Sequence, residues 1–146
     1  MKHRSPTRRL SRDKDHRRAL LRNLASSLIE HGKIKTTLTK AKFVKAYVEK
    51  LVTRAKIKNQ NNMKLVQKEI HSNVILHKLF DEVSPNFAER AGGYTRISRL
   101  GLRDGDKAEM VELAFVESEA KTPKTDSVKK ETKAKKVKVA EESSNE

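Results

Sequence analysis

The sequence predicts a small α/β domain of the α+β kind, with about four helices and a few short strands, led by a basic N-terminal arm. Three observations carry that prediction. Apolar residues recur with helical spacing from about Lys14, whereas residues 32 to 37 alternate with period two and residues 94 to 100 and 108 to 116 read as two strands around a turn. The segment Met1 to Arg12 has five basic side chains and no hydrophobic period, so it is expected to be an extended arm that does not fold alone.

The elements follow in order. On a helical wheel Leu20, Leu21, Leu24, Ala25, Leu28 and Ile29 fill one half, and His16, Arg22, Asn23, Ser26, Ser27 and Glu30 fill the other. That is an amphipathic helix. Asp13 or Asp15 suits its N-cap, and Gly32 after His31 supplies the left-handed residue that ends it. Residues 32–37 alternate basic with apolar or small side chains, which predicts a short strand with lysines on one face. A second helix, capped by Thr37 or Thr39, is expected to run to about Lys58 and to bury Phe43, Val44, Tyr47, Val48, Leu51 and Ala55. Beyond the polar stretch Asn59 to Asn62, Leu65, Val66 and Ile70 predict a short third helix. Ser72 caps a fourth, with Val74, Ile75, Leu79 and Phe80 inward.

Ser84-Pro85 opens another turn, because proline is well accommodated at a first helical position. Gly92-Gly93 breaks that run. Tyr94 to Leu100 and Ala108 to Val116 then predict two strands around an Asp104-Gly105 turn, with Val111, Leu113 and Phe115 on one face. From about Glu117 the chain is Lys, Glu, Ala, Ser and Thr without an aromatic residue. Such a stretch cannot offset about 1–2 kcal/mol per residue of backbone ordering entropy. The expected organisation is an arm (1–12), one domain (13–116) and a disordered tail (117–146).

Composition excludes several function classes. With no cysteine, disulfide frameworks, thiol catalysis and thiolate metal sites are ruled out. The longest apolar run is Leu113 to Val116, far below the roughly 20 residues that span a bilayer. Neither a phosphate-binding glycine loop nor a histidine pair at helical spacing occurs among the five histidines. Asp81-Glu82 and Asp13/Asp15 sit where helix ends and caps explain them. No cofactor, metal, catalytic residue, membrane contact or homo-oligomer is expected.

Charge is the positive signal. The net charge is +15, yet residues 1–58 hold 18 basic and 4 acidic groups, residues 59–116 hold 8 of each, and residues 117–146 hold 8 and 7. Lys2, Arg4, Arg8, Arg9, Arg12, Lys14, Arg17, Arg18 and Arg22 put nine cations in 22 residues. Guanidinium forks hold phosphate oxygens, and each neutralised phosphate releases counterions. The small polar groups Asn23, Ser26 and Ser27 let a phosphate backbone approach. The six aromatic residues fall mostly on expected core faces, so folded RNA read by phosphate, ribose and shape fits better than single strands read by stacking. Tyr94, beside Gly93 and Arg96, is either a stacking ring or a hairpin tyrosine packed on the core. A nucleoid-type DNA binder and an RNA-processing enzyme are the rival classes, the first supported by the lysines of 129–136.

Several segments together resemble a known family. They are Met1-Lys2-His3-Arg4, His16-Arg17, Arg22-Asn23-Leu24, Ser27-Leu28-Ile29-Glu30-His31, Ile34-Lys35-Thr36-Thr37-Leu38, Lys40-Ala41-Lys42, Leu79-Phe80, Gly92-Gly93-Tyr94-Thr95-Arg96-Ile97 and Gly105-Asp106. In that order the chain resembles the bacterial large-subunit ribosomal protein L17 family over about residues 1–116. The resemblance implies a two-layer α/β domain with a mixed three-stranded sheet and a structural, cytoplasmic role in the large ribosomal subunit. It also implies contact with large-subunit ribosomal RNA and with neighbouring proteins, ribosomal protein L32 among them. Residues expected to face RNA are Lys2, His3, Arg4, Arg8, Arg9 and Arg12 of the arm, and His16, Arg17, Arg18, Arg22 and Asn23 of the first helix. Lys33, Lys35, Thr36 and Thr37 of the strand, Lys40 and Lys42 after it, and Tyr94 and Arg96 complete the set.

Overall fold

Leucine and alanine at helical spacing fold residues Lys14–His31 into the first helix, α1, whose apolar stripe buries Ala25, Leu28 and Ile29. The computed structural model describes residues 10–116. Arm residues 1–9 and the tail from 117 lie outside the described residues. Residues 10–12 of the expected extended arm instead form a turn, because Leu10 and Ser11 both take left-handed backbone, φ 52° and 51°. Asp13 occupies the N-cap position of α1 without a side-chain capping bond. Gly32 ends the helix as expected, at φ 75°, with its amide on the Leu28 carbonyl at 2.8 Å.

That left-handed residue turns the chain directly into strand β1, Lys33–Thr37, and helix α2 follows at once as Leu38–Ala55. The helix stops three residues short of the expected Lys58. Its buried stripe is Ala41, Val44, Val48, Leu51, Val52 and Ala55, with Tyr47 half-buried. Phe43, expected inward, is only partly buried, because the smaller Ala41, Val44, Val48 and Val52 let α2 pack closely against its neighbours.

Helix α3, Gln60–Gln67, begins inside the polar stretch expected to precede it, with Asn59 as N-cap accepting from the Asn61 amide at 3.4 Å. Helix α4, Asn73–Lys78, has Ser72 at its N-cap position without a side-chain capping bond. Val74 is 78% exposed rather than inward, since Leu76 takes the buried position along with Leu79 and Phe80. The helix then widens into a π turn over Leu79–Val83, closed by the Ser84 amide on the Leu79 carbonyl at 2.8 Å, before a short 3-10 turn, Pro85–Phe87.

Strands β2, Thr95–Leu102, and β3, Glu109–Phe115, complete the sheet in the order β1-β3-β2. Both pairings are antiparallel. The expected mixed sheet is therefore corrected: β3 inserts between β1 and β2, so the two parallel strands never touch. The β2–β3 connection is closed by the Arg103 guanidinium, which donates to both Asp106 oxygens at 3.0 and 2.6 Å. Those bonds, with the Ala108 amide at 3.2 Å, hold the Asp106 carboxyl down to about 2.

The helices cover one face of the sheet. Val111 and Leu113 of β3 point into them and are fully buried, while Phe115 is half-buried against Phe87 with ring centres 5.9 Å apart. Among the described residues, four α-helices on one side of a three-stranded sheet make a two-layer α/β domain.

Candidate nucleic-acid interface

Strand alternation decides what the other, helix-free face of the sheet carries. In an antiparallel pair, residues directly opposite one another project from the same face. Lys33 pairs with Ala114 and Arg96 pairs with Ala114, so the three form one row across the sheet. Lys35, Glu112 and Ser98 form the next. Two interstrand spacings of about 4.8 Å put the Lys33 and Arg96 backbones about 10 Å apart, with only the methyl of Ala114 between. Lys33, Lys35 and Arg96 are exposed, and among the described residues none of them makes an ion pair. The result is a flat, cationic surface that a phosphate backbone can approach.

Helix α1 adds His16, Arg18 and Asn23, all exposed, and a half-buried Arg17. Lys42 at the start of α2 is exposed, and Thr37 and Lys40 are half-buried. Arg22 is differently placed. Its Nε donates to Glu69 at 3.1 Å and its Nη2 to the Lys68 carbonyl at 2.5 Å. Arg18 meets the other Glu69 oxygen at 3.1 Å, and the Tyr47 hydroxyl donates to Glu69 at 2.8 Å.

Glu69 thus ties α1, α2 and the end of α3 together. Burial works to raise its carboxyl, but bonds from Tyr47, Arg18 and Arg22 outweigh that and hold it below the ordinary range. Burial, followed by the bond to Glu69, pushes the Tyr47 phenol well up. Arg22 is consequently a clamp on the helices rather than a freely available cation.

Two of the expected side chains, Tyr94 and Thr36, are buried in the domain. The Tyr94 ring is 1% exposed, lies 5.2 Å from Phe87, and has Lys56 Nζ 4.8 Å over its centre. Its hydroxyl donates to the Ala91 carbonyl at 3.3 Å and sits 3.3 Å from Thr53 Oγ1. It cannot serve as a stacking platform, because the turn after Gly93 rolls it onto the core. Thr36, 8% exposed, alternates inward between the outward lysine and Thr37. Lys2, His3, Arg4, Arg8 and Arg9 lie outside the described residues. Arg12, the last of the arm, is partly buried at the turn before α1.

Sequence reasoning missed two cations. Lys45 of α2 and Arg90 of the loop before β2 line a shallow groove of about 560 Å³ together with Gly93, Thr95, Arg96, Ile97 and Val116. They stand 45 positions apart, so only the packing of α2 beside β2 brings them together.

The sequence that builds this surface matches a recognised family. Residues 20–116 match the family described as Ribosomal protein L17. The chain belongs to the ribosomal protein L17 family. One L17 relative, the "Large ribosomal subunit protein bL17" of Borrelia turicatae (strain 91E135), is 51% identical over 109 residues, spanning 75% of this chain and 88% of that protein. The L17 match runs from within α1 to the residue after β3, so it takes in the whole sheet and the helices that cover it. L17 proteins are structural and not enzymes. In keeping with that, carboxylates in this fold hold elements together: Glu69 joins helices, Asp81 meets Lys58 at 2.7 Å, and Asp106 closes the hairpin.

Proposed function

We propose that this chain is a structural constituent of the large ribosomal subunit, located in the bacterial cytoplasm and supporting translation. It binds folded large-subunit ribosomal RNA mainly through phosphate and shape contacts. The observation that supports this most directly is the cross-strand row Lys33–Ala114–Arg96 with Lys35 beside it, three exposed cations on a flat face that no helix covers. Beside it we assign phosphate contacts to the arm cations Lys2, Arg4, Arg8, Arg9 and Arg12 and to Arg17 and Arg18 of α1. Lys40 and Lys42 join them, while His3, His16, Asn23 and Thr37 supply shorter polar contacts. Neighbouring ribosomal proteins, including ribosomal protein L32, complete its surroundings.

The reading is tested in cells that carry a version lacking residues 1–12. That version is expected to be absent from large subunits separated by sedimentation at working salt. Co-sedimentation at the wild-type level would overturn the assignment of the arm.

A further inference from the structure

The groove between α2 and the outer edge of β2 is set apart from the surface just assigned. On α2, Lys45 and Tyr47 differ by two positions, or about 200° around the axis. Tyr47 faces Glu69 and α1, so Lys45 stands on the opposite flank, next to β2. β1 and β2 are likewise the two outer strands of the sheet, with β3 between them. Arg96 sits at the corner, in the open-face row and at the groove's margin.

Part of the groove's main chain is also unpaired. The Val116 amide donates to the Tyr94 carbonyl at 2.9 Å, which makes Tyr94, Arg96 and Ser98 the residues of β2 that bond to β3. Thr95 and Ile97 then turn both N–H and C=O away from β3; Thr95 is buried, so it is the half-buried Ile97 whose main chain opens to the groove. Lys45, Arg90 and Arg96 form no ion pair among the described residues. Glu49, one turn on from Lys45 along α2, accepts from the Thr95 hydroxyl at 3.3 Å. Cations beside an outward main-chain donor and acceptor suit a chain that offers both phosphate oxygens and hydroxyl groups. A ribose–phosphate backbone does so, and its 2′-hydroxyl can donate to an outward carbonyl where deoxyribose cannot.

We propose that this groove holds the backbone of a second RNA segment, with Lys45 and Arg90 on its phosphates and the outward main chain of Ile97 on its riboses. The domain then staples two RNA segments, one on the arm and open sheet face and one at the β2 edge. This inference rests on the ribosomal RNA reading above.

The test is hydroxyl-radical footprinting of a full-length large-subunit ribosomal RNA transcript with the full chain and with a Lys45→Ala/Arg90→Ala variant. Both side chains lie at the surface, and a thermal melt of the variant establishes that it is folded. Wild type is expected to protect two separated patches. The variant should lose one patch, keep the other, and bind with a log–log salt slope lower by about two. Unchanged protection and slope in the variant would overturn the groove assignment while leaving the RNA reading in place. So would a single continuous patch that weakens as a whole. Absence of protection by wild type would overturn both.

Discussion

Glu69 shows how one side chain can organise a fold whose basic residues would otherwise repel. Its carboxylate accepts from Arg18, Arg22 and Tyr47, which belong to two helices. Replacing it by glutamine removes the charge on which the half-buried Arg22 depends. Glu69→Gln should lower stability by about 1–3 kcal/mol at neutral pH, measured by denaturant melts. The pH dependence has a definite sign. A carboxyl whose folded value is depressed contributes fully above its unfolded value of about 4.3, and that contribution disappears as pH falls through the lower folded value. The gap between wild type and Glu69→Gln should therefore close below about pH 4. Tyr94 offers a second residue-scale test. Tyr94→Phe keeps the ring in the core and should cost about 1 kcal/mol for the lost hydroxyl bonds, with RNA affinity unchanged. A marked loss of affinity without loss of stability would return that ring to the interface.

At the scale of elements, Gly32 couples the end of α1 to the start of the cationic strand. Its φ of 75° admits other residues only with strain, although a methyl group there would meet no neighbouring atom. Gly32→Ala should destabilise by about 1–2 kcal/mol through backbone conformation alone. A midpoint shift in thermal unfolding measures it. The glycine stop, the alternating lysines of β1 and the inward Val111 and Leu113 were legible because each follows from local chemistry with one solution. The buried face of α2 was legible in part: Val44, Val48, Leu51 and Ala55 are buried as expected, and Ala41 and Val52 join them where Phe43 and Tyr47 were expected. Both the Phe43-to-Ala55 stripe and the Ala41-to-Ala55 stripe are apolar, and the choice between them depends on how α2 packs against α1, α3 and the sheet together. Val74 was misread because Leu76, Leu79 and Phe80 form the buried face of this segment, and Val74 lies about 200° around the helix from Leu76. Arg22 looked like a ligand contact because its partner, Glu69, lies 47 positions away.

For the whole molecule, electrostatics sets how binding responds to salt. The first twelve residues hold five Lys and Arg side chains. If each neutralises one phosphate, removing them should flatten the log–log salt dependence of RNA affinity by about 4. Equilibrium binding at several ionic strengths reads that slope directly. The basic bias of residues 1–58 was visible at once, but its arrangement was not. Lys33 and Arg96 are 63 positions apart in the chain and share a row only because β3 lies between their strands.

The irregularity in β2 bears on the chain before it reaches any partner. An outer strand with unsatisfied amides is a template on which another copy can add a strand. Here the register shifts between Arg99 and Gly101, leaving Leu100 without an opposite number, and Gly101 takes a φ of 118°. Arg96 and Arg99 place like charges along the same strand. The kink and the charges interrupt the template just before the exposed Leu100 and Leu102, which are 50% and 65% accessible. Straightening β2 by deleting Leu100 should convert a solution of separate molecules into one that associates through the strand edge, which light scattering at rising concentration would detect.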